Sequence, residues 1–255
     1  MSDAPTLKSR LAAGKPLVGC FVMLPSPAIV EMLGYAGFDF AILDQEHGAA
    51  GVETLENQLR AADASGIEAI VRISAPTPDK VQHALDSGAS GIIIPHMMNP
   101  EGAQAMVTAA QYPPFGRRGM ATTARAGRHG MVTMSEHLER AAKRIMVIPQ
   151  IEDREALPHV KAIGQIKGID AVFIGPSDLS MSLGHPGNPE HPDVAGAIRQ
   201  ICEDTRATPT KRALFVRTPE EARKVQGELG IEMLCFSTAS IISASFRSIA
   251  RAVKG

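Results

Sequence analysis

Short apolar, β-rich runs alternate with polar helical segments along this chain. Eight runs stand out: LVGCFVML (17–24), FDFAILD (38–44), EAIVRI (68–73), GIIIPHM (91–97), RIMVIPQIE (144–152), IDAVFIGP (169–176), RALFV (212–216) and MLCFS (233–237). Most lack strict apolar–polar alternation, the pattern of parallel strands buried on both faces. Between most of them lie segments of helical periodicity, at 27–37, 52–66, 78–88, 100–112 and 219–230. Several open with Pro in the first turn and several close on Gly, residues suited to the two ends of a helix. Eight strands alternating with helices predict a parallel α/β sheet closed into a single (β/α)8 TIM barrel over residues 1–255. An open doubly wound sheet is the alternative. No G-x-G-x-x-G follows the first run, which weakens the dinucleotide-binding form of that fold.

Composition narrows the partners. A net charge of −1, from 26 basic and 27 acidic residues, gives no electrostatic case for nucleic acid or an anionic membrane. No window approaches the length of apolar chain that spans a bilayer. The segment MSDAPTLKSRLAAGKPLVG carries Asp3, Lys8 and Arg10 and has no apolar signal core. Cys20, Cys202 and Cys235 are scattered and share no metal-ligand spacing, as in reduced, cytoplasmic proteins.

A barrel carries its chemistry at the C-terminal ends of its strands. There the sequence places Asp44, Glu46 and His47 after the second run, Arg72 after the third, Gln150 and Glu152 at the fifth, and Gly175, Pro176, Ser177 and Asp178 after the sixth. Singly, each has a plain structural reading. Asp178 can cap a helix, Arg72 can pair with a neighbouring acid, and Glu46 suits an ion pair better than catalysis. Together they gather acids, an arginine and a histidine on one face. Glu152 and Asp178 follow consecutive strands, and carboxylates without Cys or His companions suit a hard divalent cation such as Mg2+ or Mn2+. Arg72 adds a donor for an anionic oxygen, and GPSDLS offers backbone N–H groups at a helix start. These ingredients fit a metal-bound oxo-acid that becomes an enolate. No strand ends in Lys: Lys15, Lys143 and Lys211 precede strands one, five and seven, on the opposite rim. That removes the Schiff-base route to a carbanion. The long stretch from Tyr112 to about Thr133 holds Arg117, Arg118, Arg125 and Arg128, for which solvation or a subunit contact is the expectation.

FDFAILDQEHG, IVRISAPTPDKVQHALDSGASGIIIPHM, YPPFGRRG, PQIEDREAL and GIDAVFIGPSDLSMSLG resemble the HpcH/HpaI aldolase family from about Leu17 to Pro192, and more loosely beyond. These are class II pyruvate aldolases, acting through a divalent metal (Mg2+, Mn2+ or Co2+) on oxo-acids and aldehydes. The resemblance implies a phosphoenolpyruvate/pyruvate-type barrel, assembled as a homo-hexamer, a trimer of dimers that exchange their last helix. It implies the metal on Glu152 and Asp178, with Gln150 beside it. Arg72 is implied to contact the pyruvate carbonyl oxygen, and the backbone of Gly175, Pro176 and Ser177 its carboxylate. His47, oriented by Asp44, is implied in acid–base chemistry, and Asp86 in positioning water at a neighbouring subunit's site. Either His47 or a metal-linked water is then the base. The chain departs from the usual pattern with DQEHG in place of DGEH and with FSTASIISASF after the last strand, which bears on the aldehyde pocket. Two other readings are a carbon–carbon lyase acting on CoA thioesters and a non-catalytic barrel that binds an oxo-acid.

Overall fold

The computed structural model describes residues 5–254. Eight parallel strands close in sequence order: β1 (Leu17–Val22), β2 (Phe40–Asp44), β3 (Glu68–Arg72), β4 (Gly91–Ile94), β5 (Met146–Ile151), β6 (Ala171–Ile174), β7 (Lys211–Phe215) and β8 (Met233–Ser237). β8 pairs back onto β1 through Leu17 and Met233, which completes the ring. The predicted (β/α)8 barrel is therefore the observed one; six strands are shorter than their apolar runs at one end or both, β7 is shifted by one residue and β8 matches its run. Among the described residues no helix is long and apolar enough to cross a membrane.

The first helix, α1 (Leu7–Ala12), precedes β1; α2 (Pro27–Tyr35), α3 (Val52–Ser65), α4 (Pro78–Asp86) and α5 (Pro100–Ala110) follow the first four strands in turn. α6 (Met134–Arg144) leads into β5, α7 (Val160–Gly164) follows it, and α8 (Pro176–Ser182) and α9 (Pro192–Arg206) lie between β6 and β7. α10 (Pro219–Leu229) joins β7 to β8, and α11 (Thr238–Lys254) ends the described chain. Pro occupies the first helical position of α2, α4, α5 and α10, where its missing N–H has no intrahelical partner to lose. Gly66 and Gly230 end α3 and α10 in the left-handed region that a Cβ disfavours.

Parity divides each continuous apolar run. Alternate residues such as Phe40, Ile42, Ile70, Ile93, Met146, Ile148 and Phe173 form one core inside the barrel. Their neighbours, including Ala41, Leu43, Val71, Ile92, Val147 and Val172, form a second core against the helices. Gly19 belongs to the inward row, and a Cβ there would stand 2.2 Å from the Phe40 ring, so the glycine makes the space that Phe40 fills. Leu7 and Leu11 of α1 join the inner core and close the barrel floor. Thr6 caps that helix by accepting from the Ser9 N–H, and its hydroxyl donates to the carbonyl of Lys143. Carried upward, the inward rows end in polar residues: Phe40–Ile42–Asp44, Ile70–Arg72, and Ile148–Gln150–Glu152. The barrel's period of two thus aims these side chains into the C-terminal mouth.

Candidate active site

At that mouth Arg72 is held by a fork. Its Nε and Nη2 donate to the two Asp44 oxygens at 2.9 and 2.5 Å, and both side chains are nearly inaccessible. Nη1 lies 3.2 Å from Glu46 Oε2, and the guanidinium sits 4.9 Å from the Phe21 ring centroid. Burial pulls the Arg72 pKa down, but the hydrogen bond and charge of Asp44 outweigh it, so the net shift is upward and the group stays charged. Glu46 has the ion-pair role its residue type suggested. Burial raises its pKa against the opposing charges of Arg72, His47 and His96.

Asp44 departs from expectation. It was expected to orient His47, but the two side chains form no pair. Asp44 Oδ1 accepts from the backbone N–H of Glu46 and of His47, at 3.1 and 3.3 Å. Its remaining capacity goes to Arg72, whose double donor captures a carboxylate better than an imidazole can. The His47 ring is 54 % exposed, with Nε2 3.9 Å from Glu46 Oε2.

Glu152 is buried just past β5. Its Oε1 accepts from the backbone N–H of His96 at 2.9 Å, and its Oε2 accepts a short hydrogen bond from Gln150 Nε2. Desolvation raises its pKa, the two hydrogen bonds lower it, and the charge of Asp178 raises it again, for a net upward shift. Asp178 stands in the first turn of α8 and does not cap it. The cap residue is Gly175, which has no side chain to offer. A Cβ at Gly175 would lie 2.7 Å from Glu152 Oε2, so only glycine lets the α8 turn approach that carboxylate. Arg72, His47, Gln150, Asp178 and the 175–177 turn line a cavity of about 320 Å³, with Phe21, Met23, Phe173 and Phe215 as its apolar wall.

His96 is the residue that sequence reasoning missed. It has φ 51°, a left-handed conformation uncommon outside glycine, which places its ring between three acids. Nδ1 is 3.1 Å from Asp153 and 3.6 Å from Glu152, and Nε2 is 3.7 Å from Glu46. Burial lowers its pKa, but Asp153 and the surrounding carboxylates raise it further. Glu46, His96 and Glu152 form one compact group of potential metal-ligand atoms; Asp178 lies outside that group. The available signal was a histidine two residues past a strand in GIIIPHM. Asp86 is set apart from all of these. It ends α4, before β4 begins, on the N-terminal rim, and it pairs with Arg118 Nη2 at 2.7 Å. Lys211 begins β7 on that same rim and lies 3.7 Å from Glu232.

A closed parallel barrel whose acids, arginine and imidazoles gather at the C-terminal mouth is the architecture of a (β/α)8-barrel enzyme. The family model described as HpcH/HpaI aldolase/citrate lyase matches residues 17–243, and the chain belongs to that family. It is 40 % identical over 191 residues to a pyruvate aldolase of Rhizobium etli, covering 75 % of this chain and 74 % of that one. Against a 4-hydroxy-2-oxo-heptane-1,7-dioate aldolase of Escherichia coli it is 34 % identical, over 98 % of this chain and 97 % of the relative. The fold superposes on an HpcH/HpaI aldolase/citrate lyase family protein of Burkholderia cenocepacia with a TM-score of 0.91, at 32 % identity and coverage of 98 % and 99 %.

Proposed function

We propose that this protein is a metal-dependent aldolase. It joins the enolate of pyruvate or hydroxypyruvate to an aldehyde and, in reverse, cleaves a 4-hydroxy-2-oxo acid. The observation that carries this reading is the cavity where Arg72, Gln150, Asp178, His47 and the 175–177 turn converge beside Glu152. The donor set fits a hard divalent cation. Gln150 Oε1 is buried without a hydrogen-bond partner, Glu152 and Asp178 are close enough for one charge to shift the other, and the donors are oxygens. Glu152 and Asp178 would hold the ion, with Gln150 beside it. A bound Mg2+, Mn2+ or Co2+ supplies Lewis acidity that lowers the cost of forming the enolate.

The chain's own residues do the rest. Arg72, fixed in place by Asp44, donates to the oxygen on which enolate charge grows, at no reorganisation cost during the reaction. In the 175–177 turn Pro176 has no N–H and the Gly175 N–H donates to the Ile151 carbonyl, so the Ser177 N–H, in the first turn of α8, receives the substrate carboxylate. His47, on the accessible side of the cavity, moves the methyl proton. Phe21, Met23, Phe173 and Phe215 exclude water and face the aldehyde. A cavity of about 320 Å³ is large enough for a small oxo-acid with its aldehyde.

We also assign a homo-hexamer, a trimer of dimers exchanging α11, with Asp86 reaching a neighbouring subunit's site. Phe246, Ile249 and Val253 form an apolar stripe along one face of α11 and are 68, 63 and 81 % exposed, a surface suited to a partner. The three free, buried cysteines agree with a cytoplasmic location. The decisive experiment offers pyruvate in D2O without aldehyde. The metal-loaded protein exchanges methyl protons, a chelator stops the exchange, and borohydride does not. No exchange, together with no turnover of any oxo-acid, overturns the reading.

A further inference from the structure

A larger cavity, of about 550 Å³, lies away from the mouth, between the α4–β4 turn, the 125–130 turn and α6. Five arginines line it: Arg118, Arg125, Arg128, Arg140 and Arg144. Three have acids. Arg118 pairs with Asp86, Arg125 with Asp63, and Arg144 with Glu68 at 2.9 Å. Arg128 and Arg140 have no ion pair among the described residues, so the wall carries uncompensated positive charge.

The inner donors are unspent. Arg118 is 4 % exposed, and its Nε and Nη1 are buried with no hydrogen-bond partner, as is Arg140 Nη1. A buried guanidinium donor left unpaired costs free energy that a ligand oxygen would recover. Arg118 cannot turn away from the cavity: Asp86 holds its Nη2, and its guanidinium stacks 4.7 Å from the Tyr112 ring centroid. Arg128 and His129 both have positive φ, at 52° and 55°, strained backbone that keeps this turn against the opening. Burial, Arg128 and Arg144 lower the pKa of Arg140, and burial with Arg118 and Arg140 lowers that of His137. Burial is the larger cause in both; the neighbouring arginines add to it, while Asp63 and Glu136 act the other way on Arg140 and Asp86 on His137.

We propose that this cavity is a binding site for a small polyanion, a molecule carrying at least two negative charges on phosphate or carboxylate groups. Arg118 and Arg140 receive its oxygens by forked hydrogen bonds, and Arg128 supplies a further charge. The cavity shares no lining residue with this chain's own mouth, and the Arg118–Asp86 pair is its one link to the neighbouring site assigned under the proposed function.

The test uses the full-length, metal-loaded protein with saturating pyruvate present, so that the mouth is filled. Thermal unfolding is followed while sulfate, inorganic phosphate or propane-1,2,3-tricarboxylate is titrated at constant ionic strength, with acetate and chloride as controls. A saturable rise in Tm is expected with the polyanions and none with the controls. The stronger of phosphate and tricarboxylate names the headgroup chemistry. Arg128→Gln combined with Arg140→Gln should weaken the binding at least ten-fold and leave pyruvate proton exchange unchanged. Arg140→Lys, which keeps the charge and loses the fork, should retain part of it and covers the case in which the double variant is poorly folded. In a selenate-soaked crystal, anomalous density should lie between Arg118 and Arg140. No saturable shift, an equal shift in the variants, or selenate only elsewhere overturns the proposal.

Discussion

Arg72 and Arg140 occupy opposite electrostatic situations in one chain. Arg72 is wedged between Asp44 and Glu46, and both of its outer donor groups point at acids. Arg140 stands within the field of Arg128 and Arg144 with a buried donor unpaired. Around Arg72 the mouth is therefore compensated, with Asp44 and Glu46 holding the guanidinium in place. The lower cavity is uncompensated and gains by taking in negative charge. The same side chain thus serves as a fixed part in one region and as an open receptor in the other.

The largest effect is expected from breaking the compensated side at its acids. Glu152→Ala or Asp178→Ala should abolish metal-dependent aldol activity and weaken metal affinity measured by calorimetry, while circular dichroism reports an intact barrel. Full activity with unchanged affinity would show that the ligands are others, with Glu46 and His96 next in line. Arg72→Ala should slow pyruvate proton exchange by about 10²–10³, the usual cost of one donor at a developing oxyanion. Arg72→Lys should restore only part, because an ammonium lacks the fork that Asp44 grips.

One substitution made in both regions tests the comparison through stability. Arg72→Gln strands the buried Asp44 carboxylate and should cost roughly 3–5 kcal/mol in denaturant unfolding, the usual range for breaking a buried pair. Arg140→Gln removes a repelled charge and should stay within about 0.5 kcal/mol of the parent, on the stabilising side. Similar losses in both would mean that the cavities are electrostatically alike.

The smallest effect is a pH dependence. His137 has a folded pKa lowered by burial, Arg118 and Arg140, so the folded state prefers the neutral ring. Its contribution to stability is whole above the unfolded value of about 6.5 and is lost as pH falls below it toward the folded pKa. Arg140→Gln should make the stability of the protein fall less steeply over that acid window than in the parent. An identical slope would show that Arg140 does not act on His137.

Much of this molecule was legible along the chain. Eight apolar runs with Pro-opened, Gly-closed helices between them predicted the strands and helices and favoured a closed barrel over an open sheet, because local periodicity and end residues are properties of neighbours in sequence. Asp44, Arg72, Gln150, Glu152 and Asp178 were found because a parallel barrel exposes only its strand ends to substrate, and those ends can be counted. Tertiary structure decided which of these residues touch. The Asp44 carboxylate chose the double donor of Arg72, across the sheet, over the imidazole three residues away. His96 entered the site through a left-handed backbone that nothing in IIIPHM announces. Leu7 and Leu11 became the barrel floor, a burial that depends on strands far along the chain. The lower cavity depends on Arg118 and Arg140 meeting across a turn and a helix, with Asp86 and Asp63 matching some of their neighbours and leaving others bare. Sequence periodicity carries which way a side chain points; which charge finds a partner is set by through-space distance and burial, and those exist only once the chain has closed.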